Sequence, residues 1–295
     1  MTPAAAPACP LCGGPGAPAF TVAGWAHHVC GRCGTWFVAP APGADVLAPV
    51  YRSAAVEIGS RSCWECSARH AHATWRKALE DVRRLAGDGP LLDVGCGTGQ
   101  FLAFARERGL QDLHGLELAG AAAAAARERS GAAVREGELL GTDLPRDAFA
   151  GVTLWDVIEH LPDPRGALRR VRELLRPGGV VAVGTPSREG VSLRLLGRRA
   201  RVVTPPEHLL YATPRGLAAA LTAEGFELVR LETEQIRIRD WIPERGPCRP
   251  ETSGTYARLY ALLTGPAALA AQRALNALLR ATRLGDQIVA VAQRP

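Results

Sequence analysis

Residues 91–102 read LLDVGCGTGQFL. Three glycines at alternate positions directly after a short apolar run need a reason, because each costs roughly 0.5–1 kcal/mol against alanine inside a strand or helix. Pro90 precedes the run Leu91, Leu92, Val94, which suits a buried parallel strand. Beyond Gly99 the pattern turns helical, with Phe101, Leu102 and Ala105 on one face and Gly109 as a stop. Strand, glycine turn, helix is the layout that lets a ligand approach backbone near a helix N-terminus.

The rest of the chain follows that unit. Strands are predicted at 90–95, 112–117, 132–136, 151–156, 179–185, 226–234 and 286–293, and helices at 99–108, 119–130, 164–176 and 214–224. This alternation defines an α/β fold with a doubly wound parallel sheet. The expected organisation is a ribbon over 1–40, a helical connector over 41–86, a core over 87–235, a helical insertion over 236–283 and the last core strand over 284–295. In the connector, Trp75, Ala78, Leu79, Val82 and Leu85 share one helix face. In the insertion, Tyr256, Leu259, Tyr260 and Leu263, then Leu275, Leu278 and Leu279, follow helical spacing around a Gly265–Pro266 break. A lid over a substrate or a homodimer contact is the expected role of that insertion.

Composition narrows the function classes. With 295 residues, 47% hydrophobic and 22% charged, the chain can bury a full core. No apolar run approaches the ~20 residues that span a bilayer, and the opening MTPAAAPACP lacks a charged, then apolar, secretory leader. A cytoplasmic protein without membrane partners is expected. The net charge of +6 comes almost wholly from arginine, Lys77 being the only lysine. Its densest cluster, LRLLGRRARVV at 193–203, reads as a solvated loop rather than a nucleic-acid groove.

Four of the eight cysteines form two knuckles, Cys9-x2-Cys12 and Cys30-x2-Cys33, separated by seventeen residues and each followed by glycine. Four thiolates so placed close a tetrahedral shell, the arrangement of structural zinc; a pair of disulfides is the alternative that a cytosolic setting disfavours. His27 and His28 are spare ligands. Cys63 and Cys66, with His70 and His72 downstream, form either a second metal or redox site or the start of an amphipathic helix, which the spacing favours. Cys96 reads as a small filler of the glycine turn, and Cys248 has no visible partner.

Asp93-Val-Gly95-Cys96-Gly97-Thr-Gly99 resembles the first motif of class I S-adenosylmethionine-dependent methyltransferases; its alternating glycines differ from the dinucleotide GxGxxG. Other positions agree. The second strand ends in Glu117, eighteen residues after Gly99, where an acid accepts ribose hydroxyls. Arg135-Glu136-Gly137-Glu138-Leu139 resembles the family's turn whose acid takes the adenine amino group. LPRDAFAGVTLWDVIEHLPDP (144–164) and LLRPGGVVAVGTPS (174–187) resemble its fourth and fifth strand regions, although Ala150-Gly151 replaces an acid usual after the phenylalanine. The resemblance covers 88–235 and the chain end, and it implies a Rossmann-like seven-stranded sheet whose last strand is antiparallel. It implies S-adenosylmethionine (SAM) as cofactor, bound through Asp93, Gly95, Cys96, Gly97, Gly99, Glu117, Leu118, Glu138, Leu139, Trp155 and Asp156.

Methyl transfer from a sulfonium needs alignment, desolvation and, for a hydroxyl, a base. Asp156, Glu159 and His160 have i, i+3, i+4 spacing. Quinone-pathway O-methyltransferases carry a similar cluster, which implies a divalent metal near Asp156, Glu159 and His160; loop structuring is the other reading. The second segment is TPPEHLLYATP, 204–214, whose prolines predict a rigid, extended loop presenting Glu207, His208 and Tyr211. It resembles the EH-x-x-[YF] segment of zinc-ribbon sugar methyltransferases, in which the histidine is the base. His208 oriented by Glu207 is thus the expected base, ahead of His160, against a structural histidine at a helix entry. The expected reaction is methylation of a hydroxyl on a small molecule: a sugar, a polysaccharide precursor or a secondary metabolite. An rRNA or tRNA methyltransferase with a zinc module, a sugar C-methyltransferase and a non-enzymatic binding protein are the alternatives. The segment LWDV lacks the NPPY-like run used on base amino groups, which weighs against RNA.

Overall fold

A computed structural model describes residues 6–43, 45–50, 62–236 and 266–295. The central sheet has seven strands in the order β10-β11-β8-β7-β4-β5-β6. These are β4 (Leu91–Val94), β5 (Leu113–Glu117), β6 (Ala133–Glu136), β7 (Phe149–Trp155), β8 (Leu175–Pro186), β10 (Glu227–Glu234) and β11 (Gln287–Gln293). Strands β6, β5, β4, β7 and β8 pair in parallel, and β11 runs antiparallel to both β8 and β10. All seven strands and the four core helices expected from periodicity are present, shifted by a few residues at their ends. The largest shifts fall around Leu175, where the α-helix stops at Leu174 and β8 takes over the residues before the Pro177-Gly178-Gly179 turn.

Helices cover both faces, as a parallel sheet requires. On one side lie α1 (Ser62–Ala86), α2 (Gln100–Glu107) and α3 (Gly120–Ser130); Trp75, Leu79, Phe101, Leu102 and Ala126 form their buried seam with the sheet. The face predicted for the connector helix is the one α1 buries: Ala78 and Val82 pack on Val180 and Ala182 of β8. On the other side lie α4 (Pro164–Leu174) and α6 (Pro214–Ala223), with Leu168, Val171, Leu217 and Leu221 buried. Asp163 and Thr213 cap these two helices, accepting the amides of Gly166 and Gly216, each ahead of a proline in the first turn.

The N-terminal ribbon comprises β1 (Gly16–Val22), β2 (Trp25–Cys30) and β3 (Trp36–Val38). It does not close on itself. A fourth strand, β9 (Leu210–Tyr211), comes from the middle of the core and pairs antiparallel with β3. Two expectations are corrected here. The 204–214 segment turns at Thr204, which accepts the amides of Glu207 and His208, and then becomes a strand; the prolines do not hold it as an extended loop. Residues 193–203 are not simply a solvated loop either. α5 (Val191–Leu196) and the short 3-10 turn after it leave Arg194, Arg198 and Arg199 exposed, but bury Leu193, Ala200, Val202 and Val203 against Phe20, Val22 and Trp36 of the ribbon.

α7 (Pro266–Thr282) precedes β11, as the second helix of the insertion was expected to. The first insertion helix, Cys248 and the side chains of Cys63, Cys66 and His70 fall outside the described residues. His72 lies against Phe104 and Trp75, ring centroids 4.7 and 5.7 Å away. No helix among the described residues is long and apolar enough to cross a membrane.

Candidate active site

Strand order reverses at β4, which has β5 on one side and β7 on the other. In open α/β sheets the crevice at such a switch point, beyond the carboxyl ends of the strands, takes the ligand. The glycine turn lies there, and each glycine answers a different demand. All three have positive φ, at +66°, +52° and +76°. A Cβ on Gly95 would come within 2.6 Å of Val157, and one on Gly99 within 2.8 Å of Ala126 in α3. Gly97 faces open space, with nothing within 4 Å of a built Cβ. That opening is where a donor can approach backbone.

The turn is tied to the neighbouring strand. The amides of Gly95 and Cys96 donate to the Leu116 carbonyl at 2.7 and 3.1 Å. The Glu117 carboxylate accepts from the amides of Gly97 at 2.8 Å and Ala119 at 3.0 Å, which leaves its remaining lone pairs for a diol. Asp93 is buried on β4 and accepts the Thr153 hydroxyl at 2.6 Å. Burial, with the charge of Glu117 adding, pushes its carboxyl up to about 8 despite that hydrogen bond. Burial likewise raises the Cys96 thiol and makes it inert. Gly137 follows β6 and donates to the Glu117 carbonyl at 3.0 Å, so the 137–139 turn lies beside the second strand. Glu138 is exposed and Leu139 is buried there. At the end of β7, Trp155 packs between Phe101 and Trp75, and its buried indole N–H has no acceptor among the described residues.

Asp156 departs from the helical spacing read in the sequence. It sits at φ +51°, a strained conformation for a residue other than glycine, and its carboxylate accepts Gln287 Nε2 of β11 at 3.0 Å. Only then does the chain make one 3-10 turn, Ile158–His160. Glu159 is fully buried and accepts the Thr185 hydroxyl at 2.9 Å. His160 points to the other segment: its ring centroid is 4.6 Å from that of His208, the planes 74° apart. Glu159, His160 and His208 bring one ligand atom each within 4.8 Å of one another. The cation-capable group therefore unites Glu159 and His160 with His208, not with Asp156.

The histidines are oriented by backbone. His160 Nδ1 lies 2.9 Å from the Glu207 carbonyl and His208 Nδ1 lies 2.7 Å from the Val202 carbonyl. A carbonyl only accepts, so each Nδ1 carries a hydrogen and is held in place by it. Burial also holds the pKa of His160 below the usual histidine value. Glu207 thus orients a histidine as expected, but through its main-chain oxygen, and the histidine is His160. Tyr211 is buried in an aromatic group with His27, Trp36 and His208. Thr153, Thr185, Gln287 and the Val202 carbonyl carry no sequence signal, because each acts across elements.

At the ribbon, the sulfurs of Cys9, Cys12, Cys30 and Cys33 lie within 4.8 Å of one another and the thiols are free. Cys9 and Cys33 are 3.8 Å apart, Cys12 and Cys30 3.4 Å. A tetrahedron of Zn–S bonds about 2.3 Å long has edges of about 3.8 Å, so the four sulfurs are clustered at a spacing that suits a zinc ion. The hydrogen bond from Cys9 and the Thr35 hydroxyl pull the Cys33 thiol down, favouring the thiolate that a metal needs.

Comparison with known proteins agrees with this geometry. The family described as a methyltransferase domain matches residues 67–231, more than half of the chain. The ubiquinone biosynthesis O-methyltransferase of Alkalilimnicola ehrlichii is 31% identical over 134 residues, 43% of this chain and 51% of that one. The chain spans about half the length of the curated relatives it matches. Among solved structures, a SAM-dependent methyltransferase from Thermotoga maritima aligns over 76% of this chain and 91% of its own, at 19% identity and a TM-score of 0.51. The [4+2]-cyclase SpnF aligns over 87% and 98%, at 19% identity and a TM-score of 0.57. At such identities the likeness shows the fold alone, and fold does not decide reaction. The fold and its glycine turn are those of class I SAM-dependent methyltransferases. This chain belongs to the methyltransferase domain family.

Proposed function

We propose that this protein transfers the methyl group of SAM to a hydroxyl of a small molecule, with the His160–His208 pair supplying the base. One observation carries the reading: the two imidazoles lie with ring centroids 4.6 Å apart, each tied through Nδ1 to a backbone carbonyl, and the turn that carries His160 follows Val157, the residue against Gly95 of the glycine turn. The hydroxyl proton passes to an Nε2 while its oxygen attacks the methyl carbon in line. The C–S bond breaks and S-adenosylhomocysteine leaves. Gly95, Gly97, Gly99, Glu117, Glu138 and Leu139 hold the donor, with Glu117 on the ribose. The similarity to ubiquinone biosynthesis O-methyltransferases supports a hydroxyl acceptor. In this reading residues 1–40 are a structural zinc ribbon, 41–86 a connector, 87–235 with 284–295 the catalytic core, and 236–283 a lid over the acceptor or a dimer contact.

Isotope-labelled SAM incubated with panels of phenols and sugars, and separately with total RNA, tests the assignment. Label in the small-molecule arm, lowered about 10²–10⁴-fold by His208→Ala at unchanged SAM affinity, is the expected result. Label in RNA alone overturns it. A second reading rests on the Glu159, His160 and His208 donor set: two imidazoles and a carboxylate suit a first-row divalent ion that would bind the acceptor oxygen. Turnover that survives a chelator unchanged removes that reading and keeps the base.

A further inference from the structure

The cysteine ribbon and the histidine pair are joined by an unbroken line of backbone hydrogen bonds. β3 starts three residues after Cys33 and pairs with β9, Trp36 opposite Tyr211 and Phe37 opposite Leu210. The ladder continues one residue further, where the Val38 amide donates to the Leu209 carbonyl at 2.8 Å. The Leu209 amide in turn donates to the Glu159 carbonyl at 2.8 Å. His208 precedes Leu209 and His160 follows Glu159, so one residue carries the link from the ribbon to both rings.

The other end of β9 is tied to the knuckle itself. Thr213 is fully buried; its hydroxyl donates to the Cys33 carbonyl at 2.7 Å and its amide to the Thr35 hydroxyl at 3.4 Å. The same hydroxyl oxygen accepts the Gly216 amide and so caps α6. Within the knuckle, the Cys30 amide donates to the Thr35 carbonyl, and the Gly34 amide to the Cys30 carbonyl, both at 2.9 Å. Leu11 and Phe37 of the ribbon share one buried cluster with Leu210 and Leu217 of the core. The donor crevice shares that buried cluster through Val94, Leu116 and Leu139, but the backbone bonds of its turn run to β5 and not to the ribbon. Gly95 and Cys96 bond to Leu116, and Gly97 bonds to Glu117.

We propose that the four-cysteine ribbon is the positioning device of the acceptor half of the site. A metal held at Cys9, Cys12, Cys30 and Cys33 sets the spacing of His160 and His208 through β3–β9, with Thr213 as the positioning residue, and leaves the donor half alone. This rests on the reading of the histidine pair as acceptor-side groups. A shell of four cysteines is closed and touches no substrate, yet its loss withdraws the folding energy of the knuckle that anchors both ends of β9.

The test compares the full-length zinc-loaded protein with the same protein stripped by chelator and then reloaded with Zn²⁺, and with Thr213→Val and Thr213→Ser. Three readouts need no acceptor: amide exchange of peptides covering 204–213, imidazole ¹⁵N shifts of His160 and His208, and SAM affinity by calorimetry. Stripping should speed exchange across 204–213 by about tenfold or more. It should also blur the Nδ1–H pattern of both rings and leave SAM affinity within about twofold, all restored by Zn²⁺. Thr213→Val should keep its zinc and show the same histidine change, and Thr213→Ser should return to the native pattern. Absence of bound zinc, unchanged exchange and imidazole signals after stripping, or native signals in Thr213→Val each overturn the proposal. The reading beneath it fails separately: normal methyl transfer by His208→Ala removes the base but does not alter the exchange result.

Discussion

Asp93 and Gly97 show how much a single position in the glycine turn carries. Asp93 has its carboxyl pushed from 3.8 to about 8 by burial, so the donor-free fold keeps a proton that the unfolded chain gives up near pH 3.8. Its contribution to stability is complete below pH 3.8 and is withdrawn as pH rises through about 8. Thermal melts of the donor-free protein across that window should show a downward slope that Asp93→Asn flattens, since the amide oxygen can still accept from Thr153. Equal slopes would contradict this. Gly97→Val strains a backbone at φ +52° and fills the one open side of the turn; loss of SAM binding beyond calorimetric detection is expected, and a normal isotherm would exclude this crevice as the donor site. Where His160 is the member of the pair that takes the proton, burial, which lowers its pKa, places the acid limb of the rate–pH profile below the ordinary histidine value of about 6.5. A limb at or above that value would mean another group is titrating.

At the scale of elements, most of the fold is legible because its cues are local. The helices α4 and α6 announce themselves through Asp163-Pro164 and Thr213-Pro214, a capping residue before a first-turn proline. Asp163→Ala should cost about 1 kcal/mol in denaturant unfolding, without a change in SAM affinity, because α4 packs on the face opposite α2 and α3. A change in SAM affinity would mean the two faces are coupled. The short elements were not legible. α5 is six residues and β9 two, too few for a period to emerge, and both exist because the ribbon gives Leu193, Leu210 and Tyr211 something to pack against. The LRLLGRRARVV stretch reads as solvated from its arginines, and its apolar half is buried by tertiary contact.

For the whole molecule, the proposed donor and acceptor halves draw on different parts of the chain. In that reading the donor crevice is built by consecutive β4–α2–β5 units, and the acceptor side by residues at the ends of β7 and β8 and in the segment before α6, which the ribbon braces through β3. Saturating SAM should therefore stabilise the protein by mass action, about 2.7 kcal/mol at a hundredfold excess over Kd. Exchange protection should concentrate at 93–99, 117–119 and 137–139 and spare the ribbon. Protection spread evenly over the ribbon would contradict independent halves.

The amino-acid sequence by itself determined the strand–helix alternation, the glycine turn, the acid that ends the second strand and the two cysteine knuckles. Each of these is a repeat or spacing along a few residues, and short-range sterics and metal geometry translate it directly into structure. The tertiary structure alone decided which groups meet. Asp156 shares a helical spacing with Glu159 and His160, yet a positive φ turns it to Gln287. His160 and His208, 48 residues apart, come together because Leu209 bonds at once to Glu159 and to Val38 of the ribbon. No spacing encodes that meeting. It follows from strand pairing between distant segments, whose register is set by burial and by the backbone bonds that burial obliges.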